Sequence, residues 1–330
     1  MALKYLVIIT CICGIALSDQ KDDYGKTPIM YAITNNYLDV VKLLVDYGAD
    51  IEEKDNSGYN ALLLATLKNY THIAEFLLSK GAEVDVADNY RYTPLIHSIQ
   101  NRNRPLINTL LSYGANISKT NNSESNALLW AVRNGYEDVI DLLLSKEADL
   151  EATDADGSTI LTYAVERKNL NLTTLLLSKG LNADVKDKSG KTLLMHAAAS
   201  GNTDLTSLFL SRGVDKEVKD SLGRTALLWA VWNLQTNVTE LLLLNGSDIE
   251  VKDNQGQTSL IYAAQDGAVE IIQLLLNKGA NISERDNNGR DAISYGSERG
   301  HIEALKLLLT KLLNVNSTTT MISVANVESN

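Results

Sequence analysis

Apolar and polar residues alternate along the chain in a pattern that returns every 33 residues. Within each period, apolar positions three and four residues apart predict two short amphipathic helices. The first helix carries an apolar residue followed three positions later by a small one, as in Leu62 and Ala65 or Leu227 and Ala230. Small side chains allow neighbouring helices to approach closely, and one helix pair cannot bury its apolar face alone. The pattern therefore predicts helix pairs stacked along an array.

Capping residues define both ends of the predicted helices. A side chain that accepts hydrogen bonds from free helical N–H groups precedes each first helix. It recurs as Thr27, Asn60, Thr93, Asn126, Thr159, Thr192, Thr225, Thr258 and Asp291. Pro28 and Pro94 follow at the first helical position, where a missing N–H has no cost. Most second helices end at a glycine such as Gly48 or Gly81, which adopts the positive φ of a helix end.

A short hairpin-like turn, here called a finger, is predicted before each first helix by an Asp and, three residues later, a Gly. The Gly is replaced by Arg91 in the third period and by Glu124 in the fourth. Because glycine adopts positive φ more readily than other residues, we expect looser fingers at these two places. Glu147 and Leu312 replace two helix-ending glycines, and the last helix is expected to continue through Leu313.

Three segments resemble the ankyrin repeat, D-x-x-G-x-T-P-L-H-x-A followed by a helix and G-A-D. They are DDYGKTPIMYA (22–32), DKSGKTLLMHA (187–197) and DNQGQTSLIYA (253–263), and GADIEEKD (48–55) matches the end of the unit. The resemblance spans nine repeats over about 22–318. It implies an all-α solenoid of stacked antiparallel helix pairs with hairpin-like fingers, a concave protein-binding face and no catalysis.

Recognition in this family is expected from the finger tips and the exposed end of the first helix. Six residues at those positions are of types that anchor protein interfaces: Tyr59, Tyr90, Tyr92, Leu222, Arg224 and Trp232. We expect them to be exposed and to contact a protein partner; the alternative is scattered surface side chains without a partner. An aromatic column inside the first helices is interpreted instead as packing between repeats: Tyr31, Trp130, Tyr163, Trp229, Tyr262 and Tyr295.

Composition and motifs narrow the function. The 330-residue chain has 30 Lys and Arg against 41 Asp and Glu, for a net charge of −11, and an acidic chain repels nucleic-acid phosphates. Its sequence contains no zinc, phosphate-binding or nucleophile motif. His97 and His196 hold equivalent positions three repeats apart and cannot share a metal ion. We therefore predict protein partners, no nucleic acid, no enzyme activity, no cofactor and no metal.

The N-terminus predicts export. Lys4 precedes an apolar run over residues 5–17, which is too short to span a bilayer but suits a signal-peptide core. Residues 1–18 are interpreted as a signal peptide, with Asp19 as the new N-terminus and both cysteines removed on cleavage. The alternative is an apolar first helix of an intracellular protein. Neither interpretation predicts stable membrane insertion.

Eight Asn-x-Ser/Thr glycosylation acceptors agree with a secretory route: Asn69, Asn116, Asn121, Asn171, Asn237, Asn245, Asn281 and Asn316. Residues 19–315 form the predicted repeat array, and the polar tail 316–330 is predicted to be disordered. We expect a secreted or secretory-pathway protein that binds another protein through its concave face, including the case of an effector acting on a host. The alternatives are an intracellular adaptor or inhibitory subunit in the cytoplasm, and a structural spacer without a tight ligand.

Overall fold

A computed structural model of the chain describes residues 20–146 and 148–313, and these residues form helices joined by turns and loops. The chain divides into two compact units, Met1–Ala155 and Asp156–Asn330. Four of the predictions lie outside the described residues: the signal peptide over 1–18 with its new terminus at Asp19, the replacement at Glu147, the acceptor Asn316 and the tail 316–330.

The described part of the first unit contains four helix pairs. They are α1 Pro28–Thr34 with α2 Leu38–Asp46, α3 Ala61–Leu67 with α4 Thr71–Ser79, α5 Pro94–Gln100 with α6 Arg104–Ser112, and α7 Ala127–Asn134 with α8 Glu137–Leu144. Each pair supplies a first helix and a second helix of one repeat, in the order that the sequence predicts.

The described part of the second unit contains five helix pairs. They are α9 Ile160–Glu166 with α10 Leu170–Ser178, α11 Leu193–Ala199 with α12 Thr203–Ser211, α13 Ala226–Trp232 with α14 Thr236–Leu244, α15 Ser259–Gln265 with α16 Val269–Asn277, and α17 Ala292–Arg299 with α18 over 302–313. The helix α18 includes Leu312 and Leu313, so the predicted continuation past the usual glycine position is confirmed.

Close stacking of the first helices forms the core of each unit. Helix α13, for example, packs against α14 of its own pair and against α11 and α15 of the neighbouring repeats. The small residue at its centre, Ala230, is fully buried, as are Ala65, Ala131, Ala164, Ala197 and Ala263 at equivalent positions. These stacked helix pairs confirm the all-α repeat class that the 33-residue pattern predicts.

The predicted helix starts are confirmed at seven of the nine capping positions. There the side chain accepts a hydrogen bond from the backbone N–H three residues later, at Asn60, Thr93, Asn126, Thr159, Thr192, Thr258 and Asp291. Thr27 and Thr225 have the same extended backbone, but their hydroxyl oxygens are buried without a hydrogen-bond partner among the described residues. At these two positions the prediction of a side-chain cap is wrong, although the helices begin there.

Each finger is closed around its first residue. In the second repeat, Oδ1 of Asp55 accepts the N–H groups of Ser57 and Tyr59, both at 2.9 Å. The backbone N–H of Asp55 donates to the carbonyl of Tyr59 (3.0 Å), and that of Gly58 donates back to Asp55 (2.9 Å). Four hydrogen bonds therefore hold five residues in one turn.

Neighbouring fingers are joined by a hydrogen-bond ladder. The backbone N–H of Asn56 donates to the carbonyl of Tyr24 (3.0 Å), and that of Asn89 donates to the carbonyl of Ser57 (3.3 Å). The side-chain amide of Asn89 adds a second bond, to the carbonyl of Asn56 at 3.0 Å. Each finger is thus positioned by the finger before it as well as by its own helix.

The expectation of looser fingers at Arg91 and Glu124 is wrong. Both residues adopt the positive φ of a glycine, 62° and 59°, and both keep the turn bonds to Asp88 (2.9 Å) and Asn121 (3.0 Å). The four turn bonds outweigh the strain of a Cβ at positive φ, which is about 1 kcal/mol.

The cost of Arg91 appears in the next finger. A Cβ added to Gly58 would lie 2.5 Å from Oδ1 of Asn89, so glycine leaves the space that the following amide occupies. Arg91 fills the equivalent space beside Asn122, whose amide lies 3.5 Å from its carbonyl acceptor at Asn89. The corresponding distance after Gly58 is 3.0 Å.

In six fingers the second carboxylate oxygen of the Asp accepts a hydrogen bond from a side chain nine residues later, on the first helix; after Asp55 that position is Leu64, which has no donor. The pairs are His97 with Asp88 (3.1 Å), His196 with Asp187 (3.2 Å), Trp229 with Asp220 (3.0 Å), Tyr262 with Asp253 (2.7 Å), Tyr295 with Asp286 (2.8 Å), and Tyr31 with Asp22. The aromatic column interpreted as packing therefore also anchors the fingers to the helices, and His97 and His196 belong to it.

The fourth finger lacks this anchor because Asn121 replaces the Asp. Its Oδ1 still accepts the N–H groups of Ser123 (2.9 Å) and Ser125 (3.1 Å). Its Nδ2 and the Nε1 of Trp130 are both buried without a hydrogen-bond partner in the described part of the chain. Because both groups are donors, the bond seen in six other fingers cannot form.

Arg91→Gly is expected to raise the free energy of unfolding by about 1 kcal/mol, because glycine avoids the cost of a Cβ at positive φ. The variant also leaves room for the Asn122 amide to move closer to Asn89. Urea denaturation measures the change.

Lys68→Gly is the control, since the exposed Lys68 ends α3 at a φ of −80°. Glycine there should lower the free energy of unfolding by about 0.5–1 kcal/mol. If Arg91→Gly lowered the free energy of unfolding as much as Lys68→Gly does, the result would contradict the strain assigned to Arg91.

Asn121→Asp is expected to raise the free energy of unfolding by about 1 kcal/mol, because the new carboxylate oxygen accepts the Trp130 indole N–H. In NMR spectra, one of the three tryptophan indole N–H signals should move downfield while the other two stay in place.

Asn122→Asp introduces the same charge at the neighbouring exposed position and serves as the control. If both variants gained the same stability, with no shift of an indole signal, a change in overall charge rather than the missing acceptor would be responsible.

Candidate functional site

The second unit carries a groove of about 630 Å³ between the fingers and the first helices of repeats seven, eight and nine, which begin at Asp220, Asp253 and Asp286. We call it the repeat 7–9 groove. It is lined by Leu222, Arg224, Trp232, Asp253, Asn254, Gln255, Gln257, Tyr262, Gln265, Asp266, Arg290, Tyr295, Glu298 and Arg299. Three of the six predicted partner-binding residues meet here: Leu222, Arg224 and Trp232.

Arg224 organises one end of the groove. Its Nε and Nη2 lie 3.0 and 2.9 Å from Oδ2 of Asp220. Its guanidinium carbon lies 3.9 Å from the ring centroid of Trp229 and 4.7 Å from that of Trp232. The two indole rings are 5.0 Å apart and tilted by 54°. The Arg224 guanidinium is paired with Asp220 and stacked against both indole rings, and this arrangement holds Trp232 in a defined orientation.

Leu222, Arg224 and Trp232 differ in how far their side chains are exposed to solvent. Trp232 is 44% exposed and Leu222 is 53% exposed, as the sequence predicts. Arg224 is only 9% exposed, so the expectation of an exposed arginine is wrong. Its guanidinium is covered by the Asp220 carboxylate and the two indole rings, and it therefore acts on the groove chiefly by positioning Trp232.

The three predicted tyrosines belong to the first unit. Tyr90 is 65% exposed at a finger tip. Tyr59 and Tyr92 are half-buried beside His97, with ring centroids 6.1 and 5.5 Å from the imidazole. Burial, followed by the nearby Asp88 carboxylate, raises the pKa of Tyr59. Only Tyr90 of this group is as exposed as we expected.

Arg290 and two tyrosines form the floor at the other end of the groove. The Arg290 guanidinium lies 4.2 Å from the Tyr295 ring centroid and forms ion pairs with Asp286 (3.6 Å) and Glu298 (3.4 Å). Tyr262 donates its hydroxyl to Asp253 at 2.7 Å. Burial, then this carboxylate, raises the pKa of Tyr262. Like Arg224, Arg290 is thus neutralised by carboxylates of the protein.

The sequence interpretation missed the groove residues of repeats eight and nine, although their positions carried a signal. Arg224, Gln257 and Arg290 stand at the same position of three consecutive repeats. Trp232, Gln265 and Glu298 share another. Residues at one repeat position form a continuous row when repeats stack. The sequence interpretation named only Arg224 and Trp232, and therefore left out the other members of each row.

The predicted glycosylation acceptors differ in accessibility. Six are exposed: Asn69, Asn116, Asn171, Asn237, Asn245 and Asn281. Asn121 is only 1% exposed, because its side chain closes the fourth finger. A glycan there is incompatible with the folded repeat, and this prediction is wrong for the folded protein. In the described chain, none of the six exposed acceptors lines the repeat 7–9 groove.

Within residues 20–146 and 148–313, no three His, Cys, Asp or Glu side chains come together as metal ligands. No helix over the same residues combines the length and the apolar character needed to cross a membrane.

Models of known families match nearly the whole chain. A model described as ankyrin repeats (3 copies) matches residues 52–121, 116–187, 161–253 and 235–319, and one described as ankyrin repeats (many copies) matches 15–65. No curated protein gave a significant match. Ankyrin repeats are protein–protein interaction modules, and proteins built from them are typically scaffolds rather than enzymes. Because the matches together cover far more than half of its length, the chain belongs to the ankyrin-repeat family.

Proposed function

We propose that this protein binds another protein through the repeat 7–9 groove, with Trp232 and Leu222 as the apolar anchors. The observation that carries the proposal is a half-exposed indole held by a buried Arg224–Asp220 pair. The groove lies between the fingers and the first helices, where the sequence leads us to expect partner recognition.

A positioned indole favours binding for two reasons. Tryptophan buries more apolar surface in an interface than most side chains, and it is enriched among the residues that dominate binding energy. Because Trp232 is already stacked on Arg224 and Trp229, a partner does not have to order it on binding. The amides of Gln255 and Gln265 line the same groove and supply donors and acceptors for a partner backbone.

Export from the cell is a second part of the proposal. The signal-peptide pattern of residues 1–18 supports it. The sequence has no cysteine after Cys13, which suits an oxidising or a reducing compartment equally. Six exposed glycan acceptors lie outside the repeat 7–9 groove, so glycosylation would leave this surface free. An effector that acts on a host is one form of this proposal.

Trp232→Ala is expected to weaken capture of the partner at least tenfold, because truncating a central aromatic anchor typically costs more than 1–2 kcal/mol. The wild-type chain and the variant are immobilised at equal density, and captured proteins are compared by quantitative mass spectrometry. Leu222→Asp should release the same proteins.

Leu244→Ala is the matched control, since Leu244 is an exposed leucine of the same repeat at the end of α14 and outside the groove. Thermal melts establish that every variant is folded. A structural spacer without a tight ligand predicts identical captured proteins for all four chains, and that result would reject the proposed function.

Expression of the full chain in a eukaryotic secretory cell is expected to yield a secreted product that begins at or near Asp19. Glycosidase treatment should shift its mass. Asn281→Gln should remove one glycan from the folded product, because Asn281 is exposed, whereas Asn121→Gln should remove none.

The opposite outcome has a clear meaning. An unprocessed and unglycosylated chain that stays in the cytosol would reject export and favour an intracellular adaptor. A glycan on Asn121 of the secreted, folded protein would contradict the burial of that side chain.

A further inference from the structure

We infer that the segment bound in the repeat 7–9 groove carries a cationic side chain next to an apolar one. This inference rests on the proposed function and adds the chemistry of the partner to it. The apolar side chain contacts Leu222 and Trp232, and the cation lies toward the carboxylates of Asp266 and Glu298.

The charge balance of the groove favours a cation. Its arginines, Arg224, Arg290 and Arg299, bring three positive charges. Five carboxylates oppose them: Asp253, Asp266 and Glu298 in the lining, and Asp220 and Asp286 bound to the arginines, so that the group as a whole has a net charge of −2. The whole chain has a net charge of −11. The lining alone holds equal numbers of the two charges, and the carboxylates of Asp220 and Asp286 make the group negative. A surface with a net negative charge attracts and orients a partner of the opposite sign.

The position of the exposed carboxylates adds to this preference. Asp266 is the residue at which α15 ends, and Glu298 lies in the last turn of α17. The carbonyl groups at a helix C-terminus carry a partial negative charge that attracts cations. Both carboxylates are exposed, so a partner side chain can reach them, although Glu298 also pairs with Arg290 at 3.4 Å.

The aromatic rings of the groove suit both the cationic and the apolar side chain of the proposed segment. The exposed part of Trp232 and the half-buried ring of Tyr262 line the same groove. Aromatic faces attract ammonium and guanidinium groups and also pack against their aliphatic stems.

Arg299 does not reverse this balance. It is exposed in the last turn of α17, one residue after Glu298, and it adds a single positive charge to the lining that holds the two exposed carboxylates. Arg224 and Arg290 are already neutralised by Asp220 and by Asp286 with Glu298. Replacing Arg299 therefore offers a test in which affinity rises rather than falls.

A displayed library of random 12-residue peptides, selected against the full-length chain, identifies the preferred chemistry. Enriched peptides are expected to carry Lys or Arg next to a Leu, Ile, Val or aromatic residue.

The Kd of a representative synthetic peptide is then measured by fluorescence anisotropy, and it should increase with salt concentration. Asp266→Asn combined with Glu298→Gln should weaken binding about fivefold to tenfold. Arg299→Glu should strengthen binding about threefold.

Asp204→Asn combined with Glu270→Gln is the matched control, because it changes the net charge equally at exposed sites in the first turns of α12 and α16. Equal weakening by both double variants would overturn the assignment to this groove. Enriched peptides that are acidic or uncharged, yet lose affinity with Trp232→Ala, would overturn the cation preference and leave the proposed function standing. Peptides that bind equally well to Trp232→Ala would overturn both, and no enrichment would overturn binding of a linear segment.

Discussion

Most repeats depend on one carboxylate at the start of the finger. One oxygen accepts two backbone N–H groups and shapes the turn, as at Asp55. The other accepts a donor from the first helix nine residues later, as Asp253 does from Tyr262. Hydrogen bonds to a charged acceptor contribute about 1.5–3 kcal/mol each, more than those between neutral groups. The same side chain therefore forms the finger and sets its direction relative to the helix.

The candidate site is an extension of this arrangement. Asp220 closes its finger and binds Trp229, and it also pairs with Arg224. Arg224 in turn supports Trp232, so the exposed anchor of the groove is held, through Arg224, by the carboxylate that closes the finger. The fourth finger shows what a small change does, since the amide of Asn121 keeps the turn but leaves the Trp130 indole without a partner among the described residues.

Local patterns in the sequence were sufficient for the architecture. Helix starts at residues such as Asn60 and Thr93 depend on a hydrogen bond across three residues, and the small residue at Ala230 reflects a contact that every repeat makes. The same local reasoning was wrong for Arg91. It weighed a glycine preference of about 1 kcal/mol without the turn bonds that hold the finger in place.

The sequence by itself determined the period, the helix pairs and the family, because each of these depends on residues close together in one repeat and copied in the next. Only the tertiary structure decided that Arg224 and Asn121 are buried, and that Trp232 shares a groove with Asp266 and Glu298. Arg224 is covered by Asp220, Trp229 and Trp232 of its own repeat, which only the folded turn and helix bring together. Asp266 and Glu298 come from the next two repeats, so no pattern within a single repeat contains their place beside Trp232.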